Sequence, residues 1–193
     1  MSALNNFLEI VENRRTIYNL KPELTAGVTI EDVQKTVQSI VKNTPTAFNS
    51  QPNRAIILTG EAHKSLWNTV AAAMPSDGAK MRPTSCRDEA YGSVIFFTDD
   101  KVTEKLQADF PAFADAFPQC AQHTTGAAQI MSWAAVEALG LGGHLQHYNG
   151  LVKGALPKDI PESWSVHSQL VFGARNGEPD NKTYIHNPIK IYN

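Results

Sequence analysis

Three short runs without a charged residue, Ala55-Ile56-Ile57-Leu58, Ser93-Val94-Ile95-Phe96-Phe97 and Ser168-Gln169-Leu170-Val171-Phe172-Gly173, constrain this chain more than any other feature. Each is too short for a helix and too apolar to alternate between core and water, so each reads as a strand covered on both faces. Such a sheet needs helices above and below it, and the intervening segments supply them. Leu4, Phe7, Leu8, Ile10 and Val11 recur at helical spacing up to about Asn13. Thr29 followed by Glu31 and Asp32 is a helix start, with Val33, Val37, Ile40 and Val41 as its buried stripe and Pro45 as its stop. Residues 61–74 carry Leu66, Trp67 and Val70, and residues 126–139 are apolar nearly all round through Ile130, Trp133, Ala134, Val136 and Ala138. That last helix needs cover on several sides, from the centre of the fold or from a second subunit.

The pattern predicts an α+β (α/β layered) domain spanning residues 1–193 without internal repeats, a length suited to one core. Residues 75–83 read as an exposed loop, residues 156–164 as a connection, and Ile189-Lys190-Ile191 as a strand-like tail whose partner lies in another chain. Composition narrows the partners. With 17 basic and 19 acidic residues the net charge is -2, too balanced to attract a nucleic-acid backbone or an anionic membrane. The most apolar run, Ala134 to Leu141, is broken by Glu137 and Gly140 and falls far below the ~20 residues of a membrane span. Residues 1–6 lack a secretory pattern, and Cys86 and Cys120 lack paired metal spacing, so the expectation is free thiols in the cytoplasm or nucleus.

Several stretches carry candidate chemistry. Arg14-Arg15-Thr16-Ile17-Tyr18, just past the first helix, reads as a phosphate clamp or as a solvated basic turn. Residues 44–54 join a helix to a strand with hydroxyls and amides, no carboxylate, and one aromatic, Phe48. This loop either caps its own backbone or presents neutral donors and acceptors to a flat polar ring. Arg87 stands just before a core strand, able to reach a pocket at the sheet's edge or to pair with nearby acids. Phe110, Phe113 and Phe117 form a flap or a satellite core cluster. Gly140, Gly142 and Gly143 permit a sharp turn or a close ligand approach. His144 and His147 lack a third ligand nearby, which argues against a metal.

Taken together, Arg14-Arg15-Thr16, the Pro45-Thr46-Ala47-Phe48-Asn49-Ser50-Gln51-Pro52 loop and Gly140-Leu141-Gly142 resemble, in order and nearly end to end, the signature segments of the nitroreductase family. The wording of the loop is most similar to a short branch found in fungi and some bacteria, which includes fungal proteins connected with fatty-acid repression. The resemblance implies a central, mostly antiparallel sheet flanked by helices, a tail strand pairing with the partner subunit, and an FMN-binding homodimer with its sites between subunits. It implies NADH or NADPH as reductant and ping-pong hydride transfer through flavin N5 to nitroaromatics, quinones or similar flat acceptors. It further implies that Arg14, Arg15, Thr16 and Lys182 hold the phosphate end, and that Pro45, Thr46, Ala47 and Asn49 come from the other subunit. Arg87 would be the cation at the pyrimidine edge, His147 and Tyr148 would turn their backbone to N5, and Phe48, Phe110 and Phe113 would grip the acceptor. No catalytic side chain is implied, since the flavin carries the chemistry. Where the family has Lys-x-Arg this chain has Lys182-Thr183-Tyr184, and where it has Glu-Gly this chain has His147-Tyr148. An alternative is a flavin-binding sensor or regulatory dimer in lipid or oxidative-stress signalling, with incidental turnover.

Overall fold

A computed structural model describes residues 2–193. In chain order the elements are α1 (Ala3–Asn13), β1 (Leu20–Lys21), α2 (Ile30–Asn43), β2 (Asn53–Thr59), α3 (Gly60–Ala72), α4 (Asp77–Glu89), β3 (Gly92–Asp99), α5 (Asp100–Asp109), α6 (Phe117–Ala138), β4 (Leu141–Gln146), α7 (Asn149–Ala155) and β5 (Trp164–Arg175). The three apolar runs are the hearts of β2, β3 and β5. Every described strand pairing is antiparallel, in the order β4-β5-β3-β2. The short β1 pairs with Arg175 and Ala174 across β5 from β4, in line with β3.

Side chains alternate across this sheet and divide the core in two. Ile95, Phe97 and Val171 face Leu66, Trp67 and Val70 of α3, Cys86 of α4 and Val152 of α7. Val94, Phe96, Leu170 and Phe172 face Val33 and Val37 of α2 and Trp133 and Val136 of α6. Burying each Phe or Leu contributes about 1.5–3 kcal/mol, so the doubly covered strands hold the layers together. Helix α2 begins in a reciprocal capping box, with Thr29 and Asp32 bonding each other's backbone N–H, and ends before Pro45. Buried polar groups are paired here too. The His63 ring bridges the Cys86 carbonyl (2.8 Å) and Ser93 Oγ (3.1 Å), and Trp67 Nε1 donates to the same Ser93 Oγ (2.9 Å), tying α3 and α4 to β3.

Two expectations require correction. The loop expected at residues 75–83 is the first half of α4: Ser76 caps it by accepting from the Ala79 N–H, and Pro83 and Cys86 are buried, so a polar sequence folds on tertiary packing. Residues 141–146 are a strand, and their glycines serve packing rather than a ligand. A Cβ on Gly142 would lie 2.8 Å from Leu20 Cδ2, and one on Gly143 would lie 3.2 Å from the Val171 carbonyl. The turn belongs to Gly140, at φ +83°. Between β4 and the expected connection at residues 156–164 lies the short helix α7, which Val152 anchors. The tail, expected to pair as a strand with another chain, carries no regular structure after Arg175 in the single chain, where Ile185, Ile189 and Ile191 lie exposed.

Helix α1 forms where expected, yet its apolar stripe is uncovered. Leu4, Phe7, Leu8, Ile10 and Val11 are all exposed, Phe7 at 61%. Ile130 and Met131 of the neighbouring α6 are exposed as well. Exposed apolar stripes of this kind are a common feature of association sites.

Candidate functional site

The segment after α1 is fastened to the body at alternate residues. Ile17 is buried and its N–H bonds the Gly143 carbonyl (2.9 Å), which lays residues 14–18 along the outer edge of β4. Arg14 rests its guanidinium over the Trp133 ring, 4.4 Å from the centroid. The Arg15 N–H meets both oxygens of Glu137 (3.0 and 3.2 Å), while its guanidinium donates to the Asp180 carbonyl in the tail. Thr16 is half-buried between them, and Lys182 lies exposed two residues beyond Asp180.

Glu137 itself is buried, its side chain 3% exposed, and also accepts from Trp133 Nε1 (2.9 Å) and Arg175 Nη2 (3.1 Å). Burial lifts its carboxyl above the usual range, opposed by the Arg15 N–H and the Arg175 charge. Two open clefts of similar volume flank the fold. The one of about 760 Å³ lies between α2 and the outer edge of β2. Only the other, of about 790 Å³ between α1, α6 and the end of β5, contains Arg14, Arg15 and Arg175.

Further along β4, the exposed Tyr18 lies under the Arg82 guanidinium (3.8 Å) and 5.2 Å from the His144 ring. His144 is buried and accepts from Gln146 Nε2 at Nδ1 (3.0 Å). Burial, with Arg82 adding to it, pushes its pKa down to about 3. The unfolded chain takes this proton near pH 6.5. His144 therefore stabilises the fold fully above that pH, and the contribution is lost as pH falls from 6.5 towards about 3. Between pH 7.5 and 5.5 the loss is about 1.4 kcal/mol, and His63, lowered by burial too, acts in the same direction. Urea midpoints measured across this range should fall more steeply for the wild type than for His144→Gln; equal slopes would refute the assignment.

The loop at residues 45–52 is wound tightly on itself. Thr46 Oγ1 accepts from the Gln51 N–H (3.0 Å), and Phe48, Asn49 and Gln51 all adopt positive φ, at 52°, 51° and 52°. Left-handed non-glycine residues cost on the order of 1–3 kcal/mol each. Aromatic packing offsets part of this: Phe48 lies 4.4 Å from Phe110, 5.6 Å from Phe117 and 6.4 Å from Phe113. The cluster is neither purely core nor purely flap, because Phe48 and Phe113 remain more than half exposed while Phe117 is buried. Pro45 and Asn49 are exposed beside it, and Thr46 and Ala47 are half-buried.

Residues 11–156 match the nitroreductase family. Nitroreductase FRM2 of Saccharomyces cerevisiae is 64% identical over 192 residues, covering 100% of each chain. The chain belongs to the nitroreductase family. A solved nitroreductase from Saccharomyces cerevisiae aligns with a TM-score of 0.86 at 66% identity, over 88% of this chain and 96% of its own. Nitroreductase CinD from Lactococcus lactis, in complex with chloramphenicol, aligns at 0.85 with 38% identity, over 93% and 95%. The nitroreductase-like fold expected from the sequence is thus the fold observed, and the family is one of oxidoreductases.

Within this nitroreductase-family chain the structure redistributes the expected site residues. Arg14, Arg15 and Thr16 lie along the β4 edge, with His147 and Tyr148 just past the end of that strand, while Pro45, Thr46, Ala47, Phe48 and Asn49 lie at the start of β2 with Phe110 and Phe113. Strands β5 and β3 stand between these groups, a separation of about 14 Å at usual strand spacing. Arg87 joins neither group: it forks onto Asp88 (2.7 and 2.8 Å) and bonds Asn68 Oδ1 (3.1 Å). Arg82, five residues earlier and on another face of α4, stands at the β4 edge instead. The Tyr148 N–H, expected to face a ligand, turns inward to Gln169 Oε1 (2.8 Å) because that buried amide needs a donor. Sequence reasoning missed Arg82 and Glu137. Their signals were helical phase with the buried Cys86, and a lone carboxylate in an otherwise apolar helix.

Proposed function

We propose that this chain is one half of an FMN-dependent NAD(P)H oxidoreductase that reduces nitroaromatics, quinones or similar flat acceptors, working as a homodimer with each site shared between protomers. The observation that carries this reading is the separation of the two site halves across the sheet, beside an uncovered apolar α1. One chain cannot close its β4-edge cations over its own Phe48 loop, whereas a second copy docked on α1 can supply the missing half. The tail, exposed and rich in isoleucine, is free to lie against that partner. Residues 1–193 then act as one FMN-binding domain, and Cys86, whose thiol burial pushes up to about 12, suits a reducing cytoplasm.

The donor set fits FMN. Arg14 and Arg15 offer planar forks to a phosphate, with Thr16 and Lys182 adding a hydroxyl and an ammonium. Arg82, stacked on Tyr18, replaces Arg87 as the cation suited to an electron-rich pyrimidine edge. When bound, FMN supplies hydride transfer to and from its ring system. Around it the chain positions, excludes water and stacks. His147 and Tyr148 border the ring site, Pro45, Thr46, Ala47 and Asn49 of the second copy wall it, and Phe48 with Phe110 and Phe113 presents aromatic faces to a flat acceptor. The complex of the Lactococcus lactis relative with chloramphenicol, a nitro-substituted ring, supports that acceptor class. Among the described residues no helix is long and apolar enough to cross a membrane.

Anaerobic titration tests the reading. FMN-loaded protein should lose its visible absorbance on addition of NADH or NADPH and regain it with a nitroaromatic. Failure of both nucleotides to bleach it would overturn the proposal.

A further inference from the structure

We propose that Glu137 is the positioning residue of the arginine segment, setting Arg14 and Arg15 for an anionic ligand that Glu137 itself never touches. This rests on the reading of residues 14–16 as the phosphate end of the flavin site. The geometry makes the carboxylate a hub. Arg15 bonds it through its backbone N–H, at 3.0 and 3.2 Å, and not through its guanidinium. Arg14 is reached through an intermediary, because the indole that Glu137 accepts from at 2.9 Å is the ring over which the Arg14 guanidinium lies at 4.4 Å. One acceptor thus fixes the backbone of one arginine and the stacking platform of the other.

Charge is arranged to the same end. A buried carboxylate near two guanidiniums would ordinarily pair with one of them and remove it from service. Here Arg175 takes that role at 3.1 Å and also donates through Nε to the Leu141 carbonyl (3.3 Å). Among the described residues, the Arg15 guanidinium meets only a neutral carbonyl in the tail. Two positive charges therefore stay available on a framework built before any ligand arrives, which lowers the ordering cost of binding. The cleft is also lined by the acids Glu9, Glu12 and Glu178.

Comparing FMN with riboflavin, which lacks the phosphate, tests the idea on flavin-free protein by quenching of flavin fluorescence. The wild type should bind FMN much more tightly than riboflavin. Glu137→Gln keeps the shape of the side chain but replaces one oxygen with an N–H donor, so at least one of the Arg15, Trp133 and Arg175 donors loses its acceptor. The variant should weaken FMN roughly 10- to 100-fold and leave riboflavin within about twofold. Equal loss of both ligands would mark a merely structural role and overturn the proposal, as would unchanged FMN preference. A wild type that fails to distinguish the two ligands would instead sink the underlying reading of Arg14 and Arg15. Should Glu137→Gln fail to fold, Trp133→Phe retains a ring under Arg14 while cutting its tie to the carboxylate. That variant should also lose FMN preference selectively, and full retention of the preference would refute the role of Glu137.

Discussion

Arg14→Ala should release FMN from the protein during dialysis, with the dissociation constant rising roughly 10- to 150-fold, while riboflavin binding stays near that of the wild type. The argument begins with the donor. A guanidinium bound to a phosphate forms charge-assisted hydrogen bonds worth about 1.5–3 kcal/mol, which converts to that range of affinity. Arg14 is half-buried and held over Trp133, so its side chain loses little freedom on meeting the ligand. Arg14→Lys should recover only part of the loss, because a point charge lacks the planar fork and the stacking contact. Flavin absorbance per protein after dialysis is the measurement. Full retention by Arg14→Ala would show that the clamp lies elsewhere.

The second large effect belongs to α1. Phe7 and Val11 are one helical turn apart on the uncovered stripe, 61% and 49% exposed. Replacing both with Asp removes four apolar anchors from a symmetric pair of chains. At about 1.5–3 kcal/mol each, the gross loss is on the order of 6–12 kcal/mol, enough to raise a dimer dissociation constant by more than roughly 10⁴-fold. Sedimentation should then show a monomer with unaltered helical circular dichroism, since neither side chain packs into the core of its own chain. FMN should be lost with the partner. A double variant that remains dimeric and yellow would place the subunit contact on another surface.

Much of this molecule could be read before its coordinates, and the exceptions share a cause. Strands β2, β3 and β5 announced themselves because their central runs carry no charge and are mostly apolar, with the β3 run and residues 168–173 of β5 buried throughout. Helix α2 carried its own capping box. Strand β4 did not announce itself: Gly142 and Gly143 sit where an added Cβ would press on Leu20 and on the Val171 backbone, a tertiary reason invisible locally. Helix α4 was hidden by polar residues and Pro83, and misjudging it as a loop removed the helical phase that distinguishes Arg82 from Arg87. The paired arginines stood out in the sequence, but the Glu137 carboxylate that holds the Arg15 backbone lies 122 residues away. The positive φ of Phe48 runs against its residue type and follows from the packing of Phe110 and Phe117.

In the proposed homodimer, the placement of the two site halves on opposite margins of the sheet has a genetic consequence. A chain damaged at Arg14 and a chain damaged at Asn49 should each be inert when paired with themselves, since every site would then contain a lesion. Co-expressed, they form mixed pairs in which one site collects both lesions and the other collects none. Alleles of this kind complement each other within a single cell, whereas two different alleles confined to the same margin do not.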